Sequence, residues 1–287
     1  MKGIIKKILT LIGLHQFLRQ ILTQIHQKNK KKLLSPYQNE SRWTLQIEDV
    51  KVHYDVEDPY SKSWFFPRYA NGKIHEPAVT RFFIDHIEND SIVLDIGGHL
   101  GYFTCLAGIL AKNGQVHVFE TAPNCIPLIE KNILLNHLDN IVIVHAAVSN
   151  TNESVRILAR EEPDPGLMIK SKEDGPSMKI KGIKLDDYIH DHHIIPDLIK
   201  IDVEGAEWQV LSGMTETLKQ KNLKLLVEVH PEKLLKHFYT DYGIIIDFLL
   251  RYGFQIEALD HHSISGHSRT IEADCILKGN VMLFCTK

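Results

Sequence analysis

A chain of 287 residues holds one large domain or two small ones, and its 44% hydrophobic content is ample for a packed core. With 33 Lys and Arg against 36 Asp and Glu, the formal net charge of -3 excludes a nucleic-acid binder that presents phosphate-binding charge over its whole surface. The four cysteines, Cys105, Cys125, Cys275 and Cys285, lack any metal-binding spacing, so buried reduced thiols and a cytoplasmic location are expected.

The first 32 residues carry eight Lys or Arg and no acid. Within them Ile4, Ile8, Leu11, Leu18, Leu22 and Ile25 recur at helical spacing, which predicts a basic amphipathic helix. The stripe is too interrupted for a spanning helix, which needs about 20 apolar residues, and no small-residue cleavage site follows it. Two readings stay open: the helix docks on protein, including a second subunit of a homo-oligomer, or residues 1–32 lie on an anionic membrane surface. A polar link from Lys28 to Gln38 closes this segment, so 1–38 is helix and link.

Residues 39–90 read as an N-terminal cap. Weak alternation from Trp43 to Tyr54 predicts a hairpin, and helical spacing returns from Glu76 to Glu88. Between them, Pro59 to Asn71 reads as a lid or entrance loop broken by Pro67, with Tyr60, Trp64, Phe65, Phe66 and Tyr69 either stacking on sugar rings or simply packing. From Ser91 to the end, strands alternate with helices, an α/β pattern that implies a parallel sheet with right-handed crossovers. Strands are predicted at 92–96, 115–120, 141–147, 198–203, 224–230, 254–258 and 281–286, and helices near 101–112, 123–136, 205–219 and 241–251. Residues 150–184 lack helical spacing and carry Pro163, Pro165, Gly166, Gly175 and Pro176, so they read as a hairpin and loop insertion.

The most informative stretch is Val93-Leu94-Asp95-Ile96-Gly97-Gly98-His99-Leu100-Gly101, a buried strand that ends in a glycine loop and opens a helix. Its spacing is not the dinucleotide pattern, because His99 stands in the loop and the third glycine is missing, so a pyrophosphate cradle is disfavoured. The next strand ends in Glu120, about 20 residues on, where a carboxylate accepts from ribose hydroxyls. A ribose without a pyrophosphate suggests an adenosyl cofactor. Asp95 could instead cap the helix, and Glu120 could pair with a surface lysine.

With these pieces the chain resembles a class I S-adenosylmethionine methyltransferase, and within that class the FkbM family. The resemblance rests on Val93 to Gly98, Val118-Phe119-Glu120, Ala146-Ala147-Val148-Ser149, Lys184-Leu185-Asp186-Asp187, Ile199 to Glu207 and Val227-Glu228-Val229-His230-Pro231. It covers about 74–285. It departs at Gly97-Gly98-His99, where the family commonly carries Gly-Ala-Asn. The resemblance implies a Rossmann-like sheet of order 3-2-1-4-5-7-6 with an antiparallel last strand, and S-adenosyl-L-methionine as cofactor. It further implies that Asp95, Gly97, Gly98, His99 and Gly101 meet the methionyl part, Glu120 the ribose, and Ala147 and Val148 the adenine. Asp202 borders the same site. The acceptor it implies is a hydroxyl of a sugar, glycan or related small molecule.

Lys200, Asp202 and Glu204 alternate along one strand, and Glu228 and His230 along another that is its neighbour in this fold, roughly 4.8 Å away. Lys200 in an apolar strand needs a carboxylate, Asp202 being nearest on the same face. Its ion pair is structural or catalytic. Methyl transfer to oxygen needs alignment and a base, and His230 is the first candidate, as a neutral imidazole near pH 7, with Asp202 and Glu204 as alternatives. His99 faces either the methyl or solvent. No resident metal is expected, although Asp202, Glu204, Glu228 and His230 could gather a divalent ion. Two competing classes remain, a nucleotide-dependent oxidoreductase and a non-catalytic glycan or lipid interaction module.

Overall fold

In the computed structural model of the chain, the described residues are 34–69, 72–158, 177–259, 268–273, 275–277 and 279–287, together with 21, 28 and 32. The basic helix expected over residues 1–32 lies almost wholly outside them. No described helix is long and apolar enough to cross a membrane. All four cysteines are free, and Cys105, Cys125 and Cys285 are buried.

The described residues fall into two compact units: those up to Trp43 together with Val56–Lys73, and Thr44–Asp55 together with Ile74–Lys287. In the smaller unit, the expected lid loop is instead a helix, α1 (Pro59–Tyr69). Asp58 accepts the Ser61 N–H at 2.8 Å, and Pro59 occupies a first-turn position where its missing N–H would be unpaired anyway. Pro67 sits in the last turn, where it has no N–H to give Ser63 O, and the helix ends two residues later. The central rings do not offer themselves to a ligand. Trp64, Phe65 and Phe66 are buried, with Phe65 stacked on Trp43 at 5.0 Å and Phe66 on Tyr37 at 4.3 Å.

The larger unit begins with most of the hairpin β1 (Arg42–Ile47) and β2 (Val50–Asp55), followed by α2 (Pro77–His86). Its core is an eight-stranded sheet of β3 (Ile92–Ile96), β4 (Gln115–Glu120), β5 (Ile141–His145), β10 (Leu198–Ile201), β11 (Lys224–Val229), β12 (Gln255–Leu259), β13 (Ser268–Thr270) and β14 (Val281–Thr286). The order is β13-β12-β14-β11-β10-β3-β4-β5, which without the edge strand β13 reads 3-2-1-4-5-7-6 from the other side. β3, β4, β5, β10 and β11 run parallel, and β14 lies antiparallel to β11 and β12. Both faces of a parallel sheet are covered, which is why β10 reads Leu-Ile-Lys-Ile with every residue buried.

Helices α3 (Tyr102–Leu110), α4 (Ile126–Leu135), α5 (Leu185–His192), α6 (Glu207–Ser212), α7 (Pro231–Phe238) and α8 (Gly243–Arg251) complete this unit. Sequence reasoning missed α5 and α7, both only eight residues long, and expected one helix over 205–219. That helix stops at Gly213, where a Cβ would lie 2.2 Å from the Ser149 carbonyl oxygen, and a separate 3-10 turn follows at Thr217–Lys219. Asp186 caps that turn, accepting the N–H groups of Glu216 and Thr217 at 2.8 Å each. The expected strand 141–147 ends at His145, and its last residue joins Val148 in β6 (Ala147–Val148), paired with β9 (Gly182–Ile183). Between them β7 (Val155–Leu158) and β8 (Ser177–Ile180) form the expected antiparallel hairpin; residues 159–176 lie outside the described ones.

Two asparagines of the α4 segment tie the hairpin to the loop after β3. Asn132 accepts the Asp55 N–H at 2.7 Å and donates to Leu100 O at 2.7 Å, while Asn136 exchanges hydrogen bonds with both backbone groups of His53. These backbone groups beside the loop therefore meet fixed partners.

Candidate active site

At the carboxyl ends of β3 and β4 the backbone is drawn close. Gly97 has φ +95°, and a Cβ on it would lie 1.9 Å from the Asp202 carbonyl oxygen, so no other residue fits without moving the end of β10. Gly97 and Gly98 both donate to Phe119 O, at 2.9 and 3.2 Å. His99 takes a left-handed backbone and donates its N–H to Glu120 Oε2 at 2.7 Å; Gly101, also left-handed, opens α3. Glu120 Oε1 accepts the Ala122 N–H at 2.7 Å. Burial pushes the Glu120 carboxyl up, against the pull of these N–H bonds. Among the described residues its partners are backbone N–H groups and the Thr121 hydroxyl, not a lysine.

Asp95 is fully enclosed at the foot of the loop. Its Oδ2 accepts the Thr104 hydroxyl at 2.6 Å, while Oδ1 is buried without a hydrogen-bond partner among the described residues. Burial raises its proton affinity, and Lys200 opposes that rise. Ala147 and Val148 are buried with their side chains in the core, so only their backbone could border a ligand.

The end of β10 and the end of β11 hold a nest of charges. Lys200, 2% exposed, meets Asp202 Oδ2 at 3.1 Å, the partner expected from the strand alternation, and lies 5.1 Å from the Phe103 ring centre. Burial disfavours the ammonium, but Asp202, Asp95, Glu76 and Glu228 together raise its proton affinity above the ordinary lysine value. The strand stops at Ile201, and Glu204 and Gly205 turn the chain through left-handed backbone into α6. There the fully buried Glu207 accepts the Gly205 N–H at 2.7 Å and holds His230 Nδ1 at 2.8 Å. His230 Nε2 faces Glu204 at 3.1 Å and Glu228 at 3.6 Å, and Lys233 pairs with Glu204.

The neutral imidazole expected at His230 is therefore not the ring that the fold holds. Burial alone would lower its proton affinity, but the Glu207 hydrogen bond and the surrounding carboxylates raise the pKa to about 9. Its protons sit between carboxylates at neutral pH. Asp202 feels burial first, yet Lys200 and His230 bring its pKa well below the usual range; burial and the Asp202 charge push Glu228 well above it. Asp202, Glu228 and His230 each bring one ligand atom within 4.8 Å of the others, and a divalent ion would have to displace a His230 ring proton to use all three.

Sequence reasoning missed Glu76. It sits at the start of α2, its Oε1 3.3 Å from His75 Nε2 and its Oε2 buried with no hydrogen-bond partner among the described residues. The visible signal was an acid before Pro77 at the head of an apolar helix, a pattern also common to plain helix starts.

The family model described as the methyltransferase FkbM domain matches residues 95–256, from Asp95 of β3 to Ile256 of β12. The chain belongs to the FkbM methyltransferase family. The matched part of this FkbM chain contains Glu120, Lys200, Asp202, Glu204 and His230, whereas Glu76 precedes it. A hexuronic acid methyltransferase, AglP, of Haloferax volcanii is 29% identical over 161 residues, 54% of this chain and 62% of the relative, so the match spans less than two thirds of that protein. Among solved structures, the FkbM methyltransferase of Methylobacillus flagellatus KT is similar with TM-score 0.47 and 18% identity, over 79% of this chain and 55% of that one. The precorrin-6y C5,15-methyltransferase of Geobacter metallireducens GS-15 gives TM-score 0.42 and 13% identity, over 72% and 86%.

Proposed function

We propose that this chain transfers a methyl group from S-adenosylmethionine to a hydroxyl oxygen of a sugar or glycan. The observation that carries the reading is the loop after β3: glycine backbone pressed against Asp202, closed by Glu120, with an orphaned buried oxygen on Asp95 beneath it. These residues fit an adenosyl cofactor. Asp95 Oδ1 lacks a donor among the described residues, as an acceptor for an ammonium would, and each Glu120 oxygen that accepts one N–H keeps a second lone pair for ribose hydroxyls. When bound, S-adenosylmethionine supplies a methyl group activated by its sulfonium. The chain's own contribution is to align the acceptor oxygen with that methyl and to exclude water. Lys200, Asp202, Glu204 and His230 would form the charged wall beside the reacting groups, with His230 acting as a fixed cation.

The sugar acceptor is supported by the likeness to the hexuronic acid methyltransferase of Haloferax volcanii. S-adenosylhomocysteine should raise the melting temperature, and Glu120→Ala should remove that rise. Stabilisation by NAD instead, or by neither ligand, overturns the reading in favour of an oxidoreductase or an interaction module. Methyl-labelled cofactor with a methyl glucuronoside should then yield alkali-stable label, since an ether survives saponification. Alkali-labile label would move the acceptor from hydroxyl to carboxylate. Sedimentation of full-length protein with anionic vesicles, lost on deletion of residues 1–32, tests the proposal that this segment works at a membrane surface.

A further inference from the structure

Transfer to a hydroxyl requires somewhere for its proton to go, and the acids and bases of the charged nest are nearly all committed. His230 already holds its protons between Glu207 and Glu204. Glu204 is paired with Lys233 as well, and Asp202, bound to Lys200, is too weak a base. Burial and the Asp202 charge push the Glu228 pKa well above the usual carboxylate range, so it is no base at neutral pH until it loses its own proton.

Glu76 differs from all of these. Its backbone is left-handed, with φ 40° and ψ 70°, a strained conformation for a residue with a Cβ, held by the Thr80 N–H on Glu76 O at 2.9 Å and the Thr80 hydroxyl on His75 O at 2.6 Å. That turn fixes the side chain in a buried position, with His75 edge-on to the Tyr102 ring at the head of α3. One oxygen faces His75, and the other has a lone pair and no donor among the described residues.

We propose that Glu76 is the catalytic base of the methyl transfer. This rests on the reading of the chain as a sugar O-methyltransferase. The acceptor O–H bond breaks and its proton passes to Glu76 Oε2; the oxygen forms its bond to the methyl carbon, and the carbon–sulfur electron pair remains with sulfur as a neutral thioether. The proton affinity of Glu76 suits a general base at neutral pH. Burial raises its pKa from 4.5 to about 7, Lys200 and His230 pull it down, and Asp202 pushes it up. Glu228 and His75 are the other titratable groups that act on it.

The test uses the full chain, S-adenosylhomocysteine, methyl-labelled cofactor and a methyl glucuronoside. Glu76→Gln should keep S-adenosylhomocysteine affinity within about threefold, lower kcat about a hundredfold, and abolish the rise of kcat/KM with pH near 7. Glu76→Asp should restore part of the rate. In carboxyl NMR of glutamate-labelled protein, a resonance titrating near 7 should vanish in Glu76→Gln. A Glu76→Gln enzyme that transfers at the wild-type rate, retains the acid limb, or loses the cofactor overturns the assignment. Wild-type protein that binds S-adenosylhomocysteine but labels no glucuronoside overturns the sugar reading instead; a Glu76 carboxyl titrating at its ordinary value overturns the present one, with or without an acceptor.

Discussion

The two halves of the candidate site are built by opposite means. At the β3–β4 end, carboxylates meet backbone N–H groups: Glu120 takes those of His99 and Ala122, and the chain passes Asp202 at a distance only glycine allows. At the β10–β11 end, carboxylates meet charged side chains, with Lys200, His230 and Lys233 set among Asp202, Glu204, Glu207 and Glu228. A backbone donor cannot lose its proton, so in the first half only the carboxylates themselves titrate. In the second half each proton is shared among neighbours, so its chemistry depends on the whole group.

The largest expected effect lies in the first half. Gly97→Ala should lower stability by about 3 kcal/mol or more, read by urea unfolding, because the added methyl meets the Asp202 carbonyl rather than a flexible side chain. A loss below about 1 kcal/mol would show that the two strand ends separate easily.

Next is Glu207→Gln, which leaves His230 without its buried counter-charge and should cost about 3 kcal/mol at pH 6. The sign with pH is definite. The His230 pKa is raised from 6.5 to about 9, so the stabilisation is complete below 6.5 and fades as pH rises through 9. Wild type and variant should therefore converge in alkali, and a constant difference would deny the charged ring.

Glu76→Gln should behave in the contrary sense to an ordinary carboxylate deletion. The folded pKa lies at about 7 against 4.5, so the wild type's stability relative to the variant is full below 4.5 and is lost as pH rises through 7, about 3 kcal/mol in all. Parallel stability curves would place the carboxyl in water. The smallest effect is expected at the hairpin: Tyr54→Phe removes the hydroxyl bond to Tyr102 O at 2.9 Å and should cost about 1 kcal/mol in thermal unfolding, with S-adenosylhomocysteine binding unchanged.

Strands β3 and β4 were legible to the residue, because a buried parallel strand must be apolar throughout and its glycine or acid end is abrupt. The loop and Glu120 were legible for the same reason. Helix α1 was not, since Pro67 resembles a break until its position in the last turn is known. Glu207 stood inside the Ile199–Glu207 block that carries the resemblance, but its partner His230 is 23 residues away, and only strand order brings them together.

By itself the sequence determined the sheet, the glycine loop and the acid that closes it, because these follow from local patterns of apolar residues, glycine and strand-end charge. Only the tertiary structure decided the protonation of the charged nest at the ends of β10 and β11. Proton affinity is set by burial and by charges brought together from distant segments, and that is why His230 is a held cation while Glu76, far from it in the chain, keeps a buried oxygen with no donor among the described residues.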